Sequence, residues 1–213
     1  EIAAQGARVH RVNGLIDDML DKDGDADFIA DFAYPLPATV IAIIIGVPPE
    51  DIDRIKAWSD DLATFVGSAL ETPDKRDRAE SSVRAMTAYF KDIIAYRRKH
   101  PPEESTIIDN LIAAEEHGAV LDEATLVASC VLLLFAGHET TTNLFGNGLL
   151  AMLRNPDQLT QFQADPAMTN SAVEEFLRYD GPIGAMPRVT TEPYTIGDVT
   201  LPPGERVFCM VNA

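Results

Sequence analysis

LLLFAGHETTTN, residues 132–143, decides how this chain is read. An apolar run leads into Gly137, a histidine, a glutamate and three threonines. Asp122 has the character of an N-cap ahead of it, and the apolar spacing predicts one helix from about 122 to about 153. A helix of roughly 30 residues is ~45 Å long, enough to cross a domain. Thr is tolerated there because its hydroxyl can bond the carbonyl one turn back. A Gly in a helix interior costs about 1 kcal/mol against Ala, and close approach of another group is the usual offset. A Glu in such a helix is costly unless paired or solvated. Ala136, Gly137, Thr140 and Thr141 fall at i, i+1, i+4 and i+5, so the spacing puts them on one face. That face suits a flat group or a groove, with Glu139 and Thr140 offering a proton acceptor and a hydroxyl relay.

Working outward, helix signals follow one another. Ile2, Val9, Val12, Ile16, Met19 and Leu20 recur at helical spacing. LPATVIAIIIG (36–46) is an apolar helix closed by Gly46. PPEDIDRIKAWSDDLATFVG opens with prolines and acids, as a helix start should, and Ile52, Ile55, Trp58, Leu62 and Phe65 mark one face. ETPDKRD (71–77) reads as a polar connector before a helix to about Lys99. Residues 105–115 read as a short helix capped by Ser105. Asn155-Pro156 and Asp165-Pro166 each predict a cap with Pro at the first helical position, starting helices to about Phe162 and Tyr179. After Gly181-Pro182, β-branched pairs between turn residues read as short strands. The fold class expected is mainly α, as one domain over residues 1–213.

The chain has 213 residues and a formal net charge of −17. Such acidity argues against a nucleic-acid binder, which needs a basic footprint, and against docking on an anionic membrane. The apolar run from about Ala124 to Ala136 is short for a bilayer span and reads as a buried core helix. Cys130 and Cys209 form no CxxC pair and no disulfide framework, so a reducing, cytoplasmic setting is expected. Each reads as a small buried hydrophobe.

AGHETTTN resembles the central-helix motif of the cytochromes P450, the haem-thiolate monooxygenases: a small residue, Gly, any residue, an acid, Thr. EEFLR (174–178) contains the Glu-x-x-Arg that this family carries on a later helix, and Glu175 and Arg178 are close enough for an ion pair. RYDGP, Arg188, Gly197, Pro202-Pro203-Gly204 and VNA follow in the order found in the soluble bacterial members. The upstream DFAYPLPATVIAIIIGVPPEDIDRIKAWSDDL is similar to them too, so the resemblance covers essentially the whole chain.

The resemblance implies the central portion of the cytochrome P450 fold, with one long helix and a small C-terminal β segment. It implies that Glu139 and Thr140 guide protons to the oxygen site, and that Ala136 and Gly137 form a kinked stretch leaving room over the haem. Leu132, Phe135, Ile183 and Met186 would line the substrate pocket. Arg188 would bind a haem propionate, a natural task for a guanidinium. Glu175 and Arg178 would pin the fold beneath the haem. Haem b is the implied cofactor. NAD(P)H would supply electrons through a ferredoxin or flavodoxin-type donor, and the substrate would be a small organic molecule. The implied activity is insertion of one oxygen atom of O2 into a C–H bond. His138 is expected to be packed or solvent-linked, with no catalytic role.

In that family a cysteine thiolate holds the iron, in a loop reading roughly Phe-x-x-Gly-x-x-x-Cys-x-Gly. These 213 residues do not contain it, and neither cysteine present has its context, so no metal ligand is assigned. An excerpt of a longer monooxygenase is therefore expected, inactive alone and with apolar faces uncovered. A zinc hydrolase is a rival, because His138-Glu139 begins like H-E-x-x-H, but its fifth position is Thr142. A haem-less helical binding remnant of the same fold is the other alternative.

Overall fold

The long helix is present: α6 spans Glu123–Arg154, 32 residues without a break. Asp122 caps it, its Oδ1 accepting from the Thr125 N–H at 2.7 Å. The structure, a computed structural model, describes residues 2–67, 72–116 and 122–211, with backbone alone for 2–10 and 49. Ahead of α6 come α1 (Ile2–Leu20), α2 (Pro35–Ile45), α3 (Ile52–Gly67), α4 (Lys75–Lys99) and α5 (Ile107–Glu116). After it come α7 (Pro156–Ala164), α8 (Thr169–Asp180) and the strands β1 (Ala185–Val189), β2 (Tyr194–Ile196), β3 (Val199–Leu201) and β4 (Arg206–Met210). The mainly α class with a small C-terminal β segment is as expected. The chain divides into two compact units, Glu1–Thr142 and Asn143–Ala213, and the boundary falls inside α6.

In the first unit, Ala42, Ile45, Ile55, Met86, Phe90, Ile94, Ile108, Leu126, Cys130 and Leu134 form one buried cluster from α2 to α6. Gly46 closes α2 as predicted. Its φ of 99° lies in the left-handed region that favours glycine, and a Cβ there would strike the Thr106 hydroxyl. The Arg97 guanidinium donates to the Gly46 carbonyl at 2.8 Å, so the last turn of α4 holds this helix end. Asp61 of α3 accepts from Ser82 Oγ at 2.6 Å and from Arg78 Nε at 3.0 Å, tying α3 to α4.

Several predicted details move. Thr106, not Ser105, caps α5: Asp109 Oδ2 accepts from the Thr106 N–H at 2.8 Å and its Oγ1 at 2.7 Å, a capping-box bond from the third helical position. The 71–77 connector is shorter than read, since α4 begins at Lys75; Glu71 lies outside the described residues. Asn155 occupies the cap position of α7 without capping it. Its Nδ2 instead donates back to the Ala151 carbonyl at 2.8 Å, satisfying the end of α6. Asp165 does cap, accepting from the Ala167 N–H at 3.0 Å, but one 3-10 turn (Pro166–Met168) precedes α8. In α1 the buried side chain is Leu15, while Ile16 and Leu20 are exposed; the side chains of Ile2 and Val9 lie outside those described.

In the second unit β1 pairs antiparallel with β4, setting Arg188 opposite Val207 and Met186 opposite Cys209. β2 pairs with β3 across Gly197-Asp198, with Gly197 at φ 57°. The Thr190 hydroxyl donates to the Pro202 carbonyl at 2.6 Å and accepts from the Glu205 N–H at 3.0 Å, fixing the loop that carries Gly204.

Candidate functional site on the central helix

The middle of α6 has two unlike sides. Leu126, Val127, Cys130, Leu134 and His138 are buried, following the spacing that stacks side chains on one stripe. Leu132, Leu133 and Ala136 are exposed. The expected fully buried helix is thus buried on one side only. Among the described residues α6 is the one helix long and apolar enough to cross a bilayer by length and composition, a test that the core helix of a soluble protein also passes.

The face expected to unite Ala136, Gly137, Thr140 and Thr141 divides. Gly137 is needed for packing: a Cβ there would lie 2.5 Å from Ile41 Cγ1 of α2. The bare side of the glycine is therefore occupied by Ile41. Ala136 stays open and Thr140 half-exposed. The Thr140 hydroxyl donates to the Ala136 carbonyl at 3.0 Å, the back-bond that lets a helix hold threonine. The backbone is α-helical throughout this stretch.

Beside this open side lies a buried polar group. His138 is 2% exposed, packed as expected, its ring edge-on to Tyr34 with centroids 5.6 Å apart. His138 Nδ1 lies 3.2 Å from the Leu134 carbonyl. A carbonyl only accepts, so Nδ1 donates in that contact, and in the neutral ring Nε2 then bears the lone pair. That Nε2 is buried with no hydrogen-bond partner, 3.8 Å from Glu139 Oε2. The Tyr34 hydroxyl donates to Asp60 Oδ1 of α3 at 3.4 Å, and the Lys56 ammonium sits 4.1 Å from the Tyr34 ring centre. Burial, followed by the charges of Asp60 and Glu139, pushes the Tyr34 phenol well above its ordinary range, so it remains a donor. Sequence reasoning missed Asp60, Tyr34 and Ile41. The available signal was an acid beside Ser59 on the apolar edge of α3, and nothing local says which helix that edge meets.

In the second unit, Glu175 and Arg178 form the expected pair, with Nε to Oε2 and Nη2 to Oε1 both 2.6 Å. Both are exposed. The guanidinium holds the Glu175 carboxyl below its ordinary range. Phe176 packs against the bare Cα of Gly148, where a Cβ would meet its ring at 3.0 Å, and Asn147 Nδ2 donates to the Asp180 carbonyl at 3.0 Å. Arg188 is exposed on β1 and donates to the Pro187 carbonyl at 2.8 Å. Among the described residues it meets no carboxylate within 4.0 Å. Ile183 and Met186 are exposed at 39% and 40%. Cys130 is buried as expected, and burial pushes its thiol up to about 11. Cys209 is exposed on β4, correcting its reading as a buried hydrophobe: even on the face it shares with half-buried Val207, the strand leaves it uncovered.

A family model, Cytochrome P450, matches residues 64–213. The vitamin D(3) 25-hydroxylase of Pseudonocardia autotrophica is 39% identical over 190 residues, 89% of this chain and 45% of that protein. The biotin biosynthesis cytochrome P450 of Bacillus subtilis is 36% identical over 207 residues, 96% of this chain and 51% of that protein. Among solved structures, P450BioI in complex with acyl carrier protein ligated to hexadec-9Z-enoic acid superposes with a TM-score of 0.87 at 35% identity, covering 99% of this chain and 53% of that one. The chain thus spans about half the length of the curated relatives it matches.

Proposed function

Because the chain belongs to the cytochrome P450 family, we propose that the protein carrying it is a haem-dependent monooxygenase and that residues 132–140 are its oxygen-side wall. Both units are read as parts of one domain. The observation that carries this is the open side of α6, where exposed Leu132 and Ala136 run into the hydroxyl of Thr140, with Glu139 adjacent.

The open side of α6 in the first unit suits a haem, since Ala136 has no side chain beyond Cβ and is exposed. In the second unit the Arg188 guanidinium donates to a backbone carbonyl and meets no carboxylate within 4.0 Å among the described residues. The residues present do not supply the cysteine thiolate that would hold the iron. Cys130 is buried and held protonated by that burial, and Cys209 lies on a strand without the ligand-loop context. When bound, haem b would supply the chemistry that inserts one oxygen atom of O2 into a C–H bond, with NAD(P)H electrons through a ferredoxin or flavodoxin-type donor.

This chain's own residues would then act as follows. Leu132 and Phe135 would offer apolar contact to a small organic substrate and exclude water from it, and Ile183 and Met186 of the second unit are proposed for the same role. Ala136 leaves space. Glu139, about one-third exposed, takes a proton from solvent. Thr140 passes it on by rotating its hydroxyl away from the Ala136 carbonyl. The back-bond meanwhile leaves the hydroxyl oxygen free to accept. Arg188 would hold a propionate by a charge-assisted hydrogen bond. Glu175 and Arg178 orient α8 rather than touch reacting atoms.

Thr140→Ala in the full-length haem protein tests this. Substrate affinity should change little, while product per NAD(P)H should fall about tenfold or more, as loss of a positioned proton donor requires, with peroxide rising in its place. Unchanged coupling would remove Thr140 from the proton route.

A further inference from the structure

Three lone-pair donors converge beside α6. Asp60 of α3, His138 and Glu139 each offer one ligand atom, and these atoms all lie within 4.8 Å of one another. Two features distinguish the group from an ordinary cluster of surface acids. First, His138 Nε2 is buried, has no partner, and lies on the side of Glu139 Oε2. A buried imidazole nitrogen left so is unfavourable unless something fills the need. Second, neither carboxylate is neutralised by a Lys or Arg within 4.0 Å among the described residues; the sole ionic neighbour of Glu139 is His138 itself.

We propose that Asp60, His138 and Glu139 form a binding site for a divalent transition-metal ion of the zinc class. The imidazole is already set for ligation. Its Nδ1–H is held by the Leu134 carbonyl, the outer-shell bond that fixes the tautomer and aims the other nitrogen at a metal. One imidazole with two carboxylates suits zinc or cobalt, whereas magnesium and calcium take oxygen alone. A tetrahedral site with bonds of about 2.0–2.1 Å sets its ligand atoms roughly 3.4 Å apart, so the group must contract from its present spacing. The carboxylates do the moving. Glu139 is about one-third exposed, and among the described residues the Asp60 carboxylate is held by the long 3.4 Å bond from Tyr34. Water completes the fourth position. Lys56 is the nearby opposing charge, drawn over the Tyr34 ring; with one ammonium against two carboxylates the pocket stays net negative.

The H-E-x-x-H signature fails here for want of a second histidine on α6. The fold supplies the third ligand from α3 instead. The site does not depend on haem. One consequence rests on the proposed proton route: a metal ion that engages Glu139 removes it from proton delivery, so zinc should inhibit turnover.

The test is calorimetric titration of the full-length protein with zinc chloride in a non-coordinating buffer, repeated with cobalt chloride. One saturable site is expected, weakened at least tenfold in His138→Gln and in Asp60→Asn but unaltered in His100→Gln. Zinc should raise the melting temperature of the parent protein and leave that of His138→Gln unmoved. If His138→Gln fails to fold, Asp60→Asn, on a partly exposed position of α3, carries the comparison. Absence of saturable binding, or binding indifferent to both substitutions, overturns the site and leaves the monooxygenase reading intact. Zinc binding without inhibition upholds the site and removes Glu139 from the proton route.

Discussion

The side chain of Ile41 lies against the bare Cα of Gly137, where a methyl group would come within 2.5 Å of Cγ1 and 2.6 Å of Cδ1. Two opposing effects meet there. Ala is the better helix former by about 1 kcal/mol, while overpacking a filled interior costs about 1–3 kcal/mol. Gly137→Ala is therefore expected to lower stability by about 1 kcal/mol, read by urea denaturation. In an Ile41→Ala background the same substitution should become neutral or stabilising. Additive effects in that double-mutant cycle would show that Ile41 does not set the requirement for glycine.

The Thr106 cap of α5 gives a second expectation. Its N–H and hydroxyl both serve Asp109, which also lies 3.6 Å from the Arg97 guanidinium. Thr106→Ala should cost about 1 kcal/mol, and Ser105→Ala close to nothing, in paired thermal melts. The reverse order would restore Ser105 as the cap.

Glu175 and Arg178 predict a pH dependence whose sign is fixed. The folded carboxyl is held below its ordinary range by the guanidinium. The unfolded chain therefore takes up the proton first as pH falls. The stabilisation is complete above about pH 4.3, the ordinary glutamate value, and is lost as pH falls through the folded value. The pair is solvent-exposed, so salt should weaken it. An NMR titration of the Glu175 carboxyl should show its midpoint rise in Arg178→Lys, which loses the two-point geometry.

The two thiols should separate by reactivity. Cys209 is exposed and Cys130 buried with its thiol pushed up to about 11. A disulfide reagent at neutral pH is expected to modify Cys209 in the native chain and Cys130 only after denaturation, because the thiolate is the nucleophile. Between the ordinary thiol range and about 11, the unfolded chain ionises at Cys130 and the native one does not, so stability should fall as pH rises there. Equal rates at both cysteines under native conditions would contradict the burial of Cys130.

What the sequence by itself determined is what lies within one or two turns of a residue. The α6 helix and its Asp122 cap, the Gly46 stop, the Glu175–Arg178 pair and the β turns were all legible, because each is set by helical or strand period and by bonds between near neighbours. The order of those motifs was enough to place the chain in its family. Even locally, competing donors misled: Thr106 displaced Ser105, since only Thr106 sits three residues before an acid. Tertiary structure alone decided which buried stripe meets which. It put Ile41 into the space of Gly137, left Cys209 uncovered, and carried Asp60 from α3 to the unpaired nitrogen of His138. Burial and the pairing of distant carboxylates depend on how whole helices pack, and no period in a single stretch of sequence encodes the partner.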